Sequence, residues 1–251
     1  PTAPVQITLA SSDSTEGTVS PPLLTFTTAN WSSPQTVTVT GVDDPIADGD
    51  QVYTIITSTT SSAQPAYNTL PVADVTVTNT DNETAGFEFN IPAPRQTTEA
   101  RGTAIVRVRL QAQPTADVVL PVRVSDTTEA SSSVAAVTFT SANWNAYQVI
   151  TLTGVDDLLA DGDQPFTLIT DPAMSADPAY NGLNPGNPGF TNIDDETAGF
   201  EVTPLSITTR EDGTAMPTFR VRLTSQPTAD VTIPVSSSDT TEGTPDRSSI
   251  T

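Results

Sequence analysis

The 251-residue chain has no cysteine, no histidine and no lysine. Each absence excludes a chemistry. Without Cys there is no disulfide framework and no thiol nucleophile. Without His or Cys the usual zinc and copper ligands are missing. No imidazole is available as a general base. Without Lys, an intramolecular Lys–Asn isopeptide crosslink cannot form. No run of about 18 apolar residues occurs, so no segment has the length of a membrane-spanning helix. No leader segment is visible, and the chain opens and closes inside a repeat. Targeting signals are therefore expected elsewhere in a longer parent protein.

Acid is what the chain has in excess. Thirty acidic residues face nine basic ones, all Arg, for a net charge of −21. Such a surface repels nucleic acid and anionic membranes, so neither a nucleic-acid partner nor direct membrane insertion is expected. It favours cations or simple solubility.

Internal repetition organises the rest. Asp-x-Thr-Glu begins at Asp13, Asp126 and Asp239; Pro-Thr-Ala begins at Pro1, Pro114 and Pro227. Pro-Ala-Tyr-Asn places Tyr67 and Tyr180, and Ala-Asn-Trp places Trp31 and Trp144. Each interval is 113 residues. A period this long is a whole domain rather than a solenoid unit.

Within a period the pattern is β. Val106, Val108 and Leu110 alternate with Arg107 and Arg109; Val118, Leu120, Val122 and Val124 alternate in the following run. Thr fills outward positions, which suits strands and weakens helices. Short strands separated by turns every 8–12 residues predict tandem Greek-key, immunoglobulin-like β-sandwich domains. The boundaries are expected at Asp-Asn-Glu-Thr-Ala-Gly and its later counterpart. Residues 1–84 are then a partial repeat lacking its first two strands, 85–198 a complete one, and 199–251 the first three strands of a third.

One motif dominates the loops. GVDDPIADGDQ at 41–51 returns as GVDDLLADGDQ at 154–164. Each copy sets four carboxylates in eight residues after a strand-like run. Ca²⁺ takes 6–8 oxygen ligands, more than one short loop supplies, so several loops must meet if a cation binds. Asp81 and Glu83, at another strand's exit, offer a second source. Neither copy has EF-hand spacing. Two readings stand at this point: a cation site, or a hydrated acidic loop that caps a sheet. The acids recur in each unit and no His base accompanies them, so an enzyme is not expected.

In their order and spacing the motifs resemble the Calx-beta domain family, as it occurs in tandem in large bacterial cell-surface proteins and adhesins. They are Glu-Asp-Gly-Thr-Ala (211–215), Thr-Glu-Gly-Thr (241–244), Leu-Thr-Phe-Thr-x-Ala-Asn-Trp (24–31), Val-Asp-Asp (42–44) and Asp-Asn-Glu (81–83). The resemblance covers the chain as successive units. It implies acidic loops converging on Ca²⁺ at one end of each sandwich. The ligands it implies are Glu99, Asp156, Asp157, Asp161, Asp163, Asp194 and Asp195 in the complete unit. In the first unit they are Asp43, Asp44, Asp48, Asp50, Asp81 and Glu83, and in the third Glu211 and Asp212. The family's Asp-Tyr after Gly-Thr is missing, since Gly243-Thr244 leads into Pro245-Asp246.

The function expected is a structural extender, stalk or filament module of an extracellular bacterial surface protein, its units stiffened by Ca²⁺. Its partners are neighbouring repeats and other copies in a fibre. Two alternatives accompany it. One is adhesion to a glycan or host protein through Trp144, Tyr180 or the divergent 184–190 segment. The other is a self-assembling fibre subunit completed by strand donation.

Overall fold

A computed structural model describes residues 1–251. It is all-β, and its one helical segment is the 3-10 turn Pro65–Tyr67. Residues 1–84 carry β1 (Val5–Ser11), β2 (Gly17–Ser20), β3 (Leu23–Phe26), β4 (Thr38–Gly41), β5 (Gln51–Thr57), β6 (Ser61–Ser62) and β7 (Val75–Asn79). One sheet runs β3-β1-β5-β7, with β6 also on β1, while β2 and β4 pair separately.

Residues 85–198 carry β8 (Phe87–Asn90), β9 (Gln96–Thr98), β10 (Thr103–Leu110), β11 (Val118–Val124) and β12 (Ala130–Ser132). Then follow β13 (Ala136–Phe139), β14 (Gln148–Gly154), β15 (Gln164–Thr170), β16 (Met174–Ser175) and β17 (Gly189–Ile193). They form two sheets, β12-β14-β10-β8 and β13-β11-β15-β17-β9, with β16 also on β11. Pairing is antiparallel except between β17 and β9, where Asn192 lies beside Thr97 in parallel register. After residue 199 come β18 (Phe200–Thr203), β19 (Arg220–Leu223), β20 (Ile233–Pro234) and β21 (Ser249–Ile250), as the pairs β18–β19 and β20–β21.

Alternation explains the sandwich. Along β10, Ala104, Val106, Val108 and Leu110 point inward and are buried, while the arginines between them face out. The same holds for Val118, Leu120, Val122 and Val124 of β11. Ile150, Leu152, Phe166, Leu168 and Phe190 join them in a core of 18 buried residues from both sheets. Each fully buried side chain of this kind contributes about 1.5–3 kcal/mol, so this core dominates the chain's stability. Residues 1–84 hold only Leu9, Tyr53 and Ile55 in a buried apolar cluster, and no residue after Asn192 is buried.

The strand count departs from the sequence reading. Three strands, β8, β9 and β10, have no counterpart in residues 1–84, where two were expected. The extra one is β9, whose Gln-Thr-Thr is polar and carries no alternation. Four short strands, not three, follow residue 199. One substitution pair shows how the repeats stay packed. A Cβ on Gly17 would lie 1.9 Å from the Tyr53 hydroxyl. One period later the pair is Ala130 and Phe166, both buried: the methyl appears where the hydroxyl has gone.

Candidate metal centre

Four segments meet at one end of the 85–198 sandwich: the β9–β10 turn, the Asp126–Glu129 turn before β12, the acidic loop after β14, and the exit of β17. Backbone bonds hold them together. Glu99 N–H donates to the Ile193 carbonyl (3.1 Å), Gly154 N–H to Gly102 (3.0 Å) and Val155 N–H to Glu129 (3.0 Å). Gly154 has no room for a side chain, since a Cβ there would lie 2.1 Å from the Thr98 carbonyl oxygen.

The carboxylates divide into two kinds. Some build the loop. Asp194 accepts from the N–H groups of Gly162 (2.6 Å) and Glu196 (2.8 Å). Asp163 accepts from Asp194 N–H (3.3 Å), and Asp157 from Leu159 N–H (2.6 Å). Gly162 adopts φ +80°, which lets the loop turn under Asp194. The amides of Glu196 and then Gly162 hold the Asp194 carboxyl below the usual carboxylate range.

The others, joined by Asp157, converge on each other. Glu99, Asp156, Asp195 and Glu196 each place one oxygen within 4.8 Å of the rest. Glu99 is 1% exposed, and Oε2 of both Glu99 and Glu196 is buried with no hydrogen-bond partner. Burial, then the adjoining Glu196 carboxyl and the charges of Asp157 and Asp194, push the Glu99 carboxyl up to about 8. Glu129, Asp157 and Asp161 form a second cluster under the same 4.8 Å limit. Burial, followed by the charges of Asp161, Asp126 and Asp157, raises the Glu129 carboxyl against an opposing hydrogen bond from Asn192. The chain's four ion pairs, Arg109–Glu88, Arg123–Asp171, Arg222–Glu201 and Arg247–Asp246, lie elsewhere.

The first unit repeats the loop. Asp81 accepts from Gly49 N–H (2.7 Å) and Glu83 N–H (2.8 Å), Asp50 from Asp81 N–H (3.1 Å), and Asp44 from Ile46 N–H (2.8 Å). Glu16, Asp43, Asp44, Asp48, Asp81 and Glu83 line one open cleft there; Asp50 stands outside it. Burial, then the Asp81 carboxyl and the charge of Asp43, raises the Glu83 carboxyl.

Of the ligands the resemblance implies, Glu99, Asp156 and Asp195 meet in one cluster and Asp157 and Asp161 in the other. Asp163 and Asp194 act on backbone amides beside them. Glu211 and Asp212 stand exposed in no cluster, and Asp212 accepts from the Thr214 amide and hydroxyl (2.9 and 2.6 Å). Three residues in these groups were missed from sequence: Glu16, Glu129 and Glu196. A signal for the first two existed in the recurring Asp-x-Thr-Glu. Its Asp126 closes the turn on the Thr128 amide and hydroxyl (2.9 and 2.6 Å), while Glu129 turns to the cluster.

Chemically the groups are pure oxygen-donor sets. Such a set suits a hard divalent cation, and six to eight oxygens suit Ca²⁺ rather than the smaller, strictly octahedral Mg²⁺. No family model and no curated protein matches the chain. Among solved structures it is similar to domains 4 and 5 of the S-layer protein SbsC: 13% identity, 74% of this chain and 69% of that one, TM-score 0.30. It is similar to the calcium binding domain CBD12 of CALX1.1 at 16% identity over 68% of each chain, TM-score 0.32. CBD12 from CALX1.2 is 18% identical over 70% of each chain, TM-score 0.32.

Proposed function

We propose that the chain is a run of Calx-beta-like structural modules, stalk or filament units of a large extracellular surface protein of bacterial type, stiffened by Ca²⁺ at the unit ends. On this reading residues 85–198 are one complete unit, flanked by parts of its neighbours. The observation that carries the reading is the Glu99–Glu196 pair: each has a buried, unpartnered carboxylate oxygen, and both residues cluster with Asp156 and Asp195 with no arginine to balance them. Buried charge without a partner is costly, and a divalent cation removes the cost.

The way units join supports the same reading. Gln113 N–H donates to the Pro45 carbonyl (2.7 Å), and Ile46 bridges Gln113. One period later Gln226 N–H donates to the Leu158 carbonyl (2.7 Å), and Leu159 bridges Gln226. The residues that touch the next unit are thus the middle of the acidic loop. Asp44 and Asp157 cap their amides, and Asp157 belongs to a cluster. A cation that fixes the loop fixes the joint. Extracellular calcium modules typically bind at Kd of about 10⁻⁴–10⁻³ M. A free ion level of 100 Kd stabilises a site by about 2.7 kcal/mol.

Small-angle X-ray scattering of the chain in millimolar Ca²⁺ and in chelator tests the reading. A longer, narrower distance distribution with Ca²⁺ is expected. Superimposable curves from a protein that titration shows to bind Ca²⁺ would leave a binding module without a stiffening role.

A further inference from the structure

Asn192 faces inward on β17, on the same side as the core residue Phe190, and is fully buried. That strand position is ordinarily apolar. The amide instead bonds to elements far apart in sequence. Its oxygen accepts from the Thr97 hydroxyl (2.8 Å). Its Nδ2 donates to Glu129 Oε2 (3.3 Å) and to the Val155 carbonyl (3.2 Å). Asn79 repeats the arrangement in the first unit, donating to Glu16 Oε2 (3.1 Å) and the Val42 carbonyl (2.9 Å). The glycine opening each Gly-Val-Asp-Asp makes room: a Cβ on Gly154 or Gly41 would lie 2.5 Å from the asparagine oxygen.

The two Nδ2 hydrogen bonds reach both halves of one cluster. Glu129 comes from the Asp-x-Thr-Glu turn; Val155 begins the loop that carries Asp157 and Asp161. A donor-only NH₂ group holds one carboxylate oxygen and leaves the other for a cation. We infer that Asn192, and Asn79 in the first unit, are positioning residues that aim Glu129 and Glu16 and set the acidic loop for cation binding. The inference rests on the calcium reading above.

The test is calorimetric Ca²⁺ titration of the full chain and its variants, each checked for folding by circular dichroism. Asn192→Leu removes the donor to Glu129. Thr97→Val removes the other bond on the same amide and leaves that donor in place. Loss of an outer-shell partner typically weakens metal binding about 10–100-fold. We expect that loss for one class of sites in Asn192→Leu and an unchanged affinity in Thr97→Val. Equal affinity and stoichiometry in Asn192→Leu and wild type would overturn the inference, as would equal weakening by both variants. Asn79→Leu, at a half-buried position, gives the same readout in the first unit if Asn192→Leu does not fold. A wild-type chain that binds no Ca²⁺ would overturn the calcium reading and the inference together.

Discussion

The two acidic loops have nearly one sequence and sit in unlike surroundings. Residues 41–51 and 154–164 differ only at Pro45-Ile46 against Leu158-Leu159. Their backbone bonds correspond, Asp81 with Asp194 and Asp44 with Asp157, as do Gln113 and Gln226 at the joint; Gln51 adds a second bond, to the Gly49 carbonyl (3.2 Å), that Gln164 does not make. The loop's shape is therefore local, written in its own Asp and Gly residues. The second loop meets β9 and the turn carrying Glu99; no residue of this chain holds that place beside the first. Crowded buried charge is thus a tertiary property. Both loops are anchored, and only the second lies against a nearly fully buried carboxylate, Glu99, pushed up to about 8.

The largest way to sharpen the contrast is through the cores. Leu152 is fully buried, while its counterpart Val39 is half-buried at the margin of a three-residue cluster. Leu152→Ala is expected to cost about 2–5 kcal/mol and Val39→Ala clearly less, read as urea midpoints. Equal losses would break the contrast. Gly17→Ala comes next. Its methyl would collide with the Tyr53 hydroxyl, at about 1–3 kcal/mol for an overpacked site. Gly17→Ala with Tyr53→Phe recreates the Ala130–Phe166 pair and should recover most of that loss.

A pH series probes the clusters. In metal-free protein the folded Glu99 carboxyl sits at about 8, above its ordinary 4.5. The folded state then holds a proton that the unfolded state has released. Its contribution to stability should be full below about 4.5 and fall as pH rises toward 8. Melting temperatures in chelator from pH 5 to 9 should decline, and Glu99→Gln should flatten the decline. Saturating Ca²⁺ should flatten it too, because the ligand must be ionised to bind. The smallest effect concerns Tyr147, which stands where the first unit has Pro34. Its hydroxyl donates to Glu88 (2.5 Å), and the Arg109 guanidinium lies 4.8 Å over its ring. Tyr147→Phe should move the melting temperature barely beyond measurement error, as surface polar contacts usually do.

Strand faces were legible wherever a long run alternated, as in β10 and β11. The motif marking the acidic loop was legible because it recurs. β9 was not, because its parallel pairing with β17 leaves no pattern in Gln-Thr-Thr. Glu129 hid for a different reason: its motif reads as turn chemistry, and only the fold sends its last residue into the cluster. Trp31 and Trp144 carry the same signature and different fates. Trp144 packs against the core and its carbonyl accepts from Leu110 N–H (2.9 Å), whereas Trp31 is 62% exposed. The difference is β10, which no local pattern around the tryptophans encodes.

We propose that the acid clusters are cation sites that staple the fold. This is tested most directly by thermal unfolding of the chain in excess Ca²⁺ and in chelator, beside an Asp156→Asn/Asp157→Asn double variant. A clear rise in melting temperature with Ca²⁺ is expected, about 2–4 °C for each kcal/mol of binding in a chain this size, and its loss in the variant. Identical melting in the two buffers would contradict it and leave the loops as solvated caps.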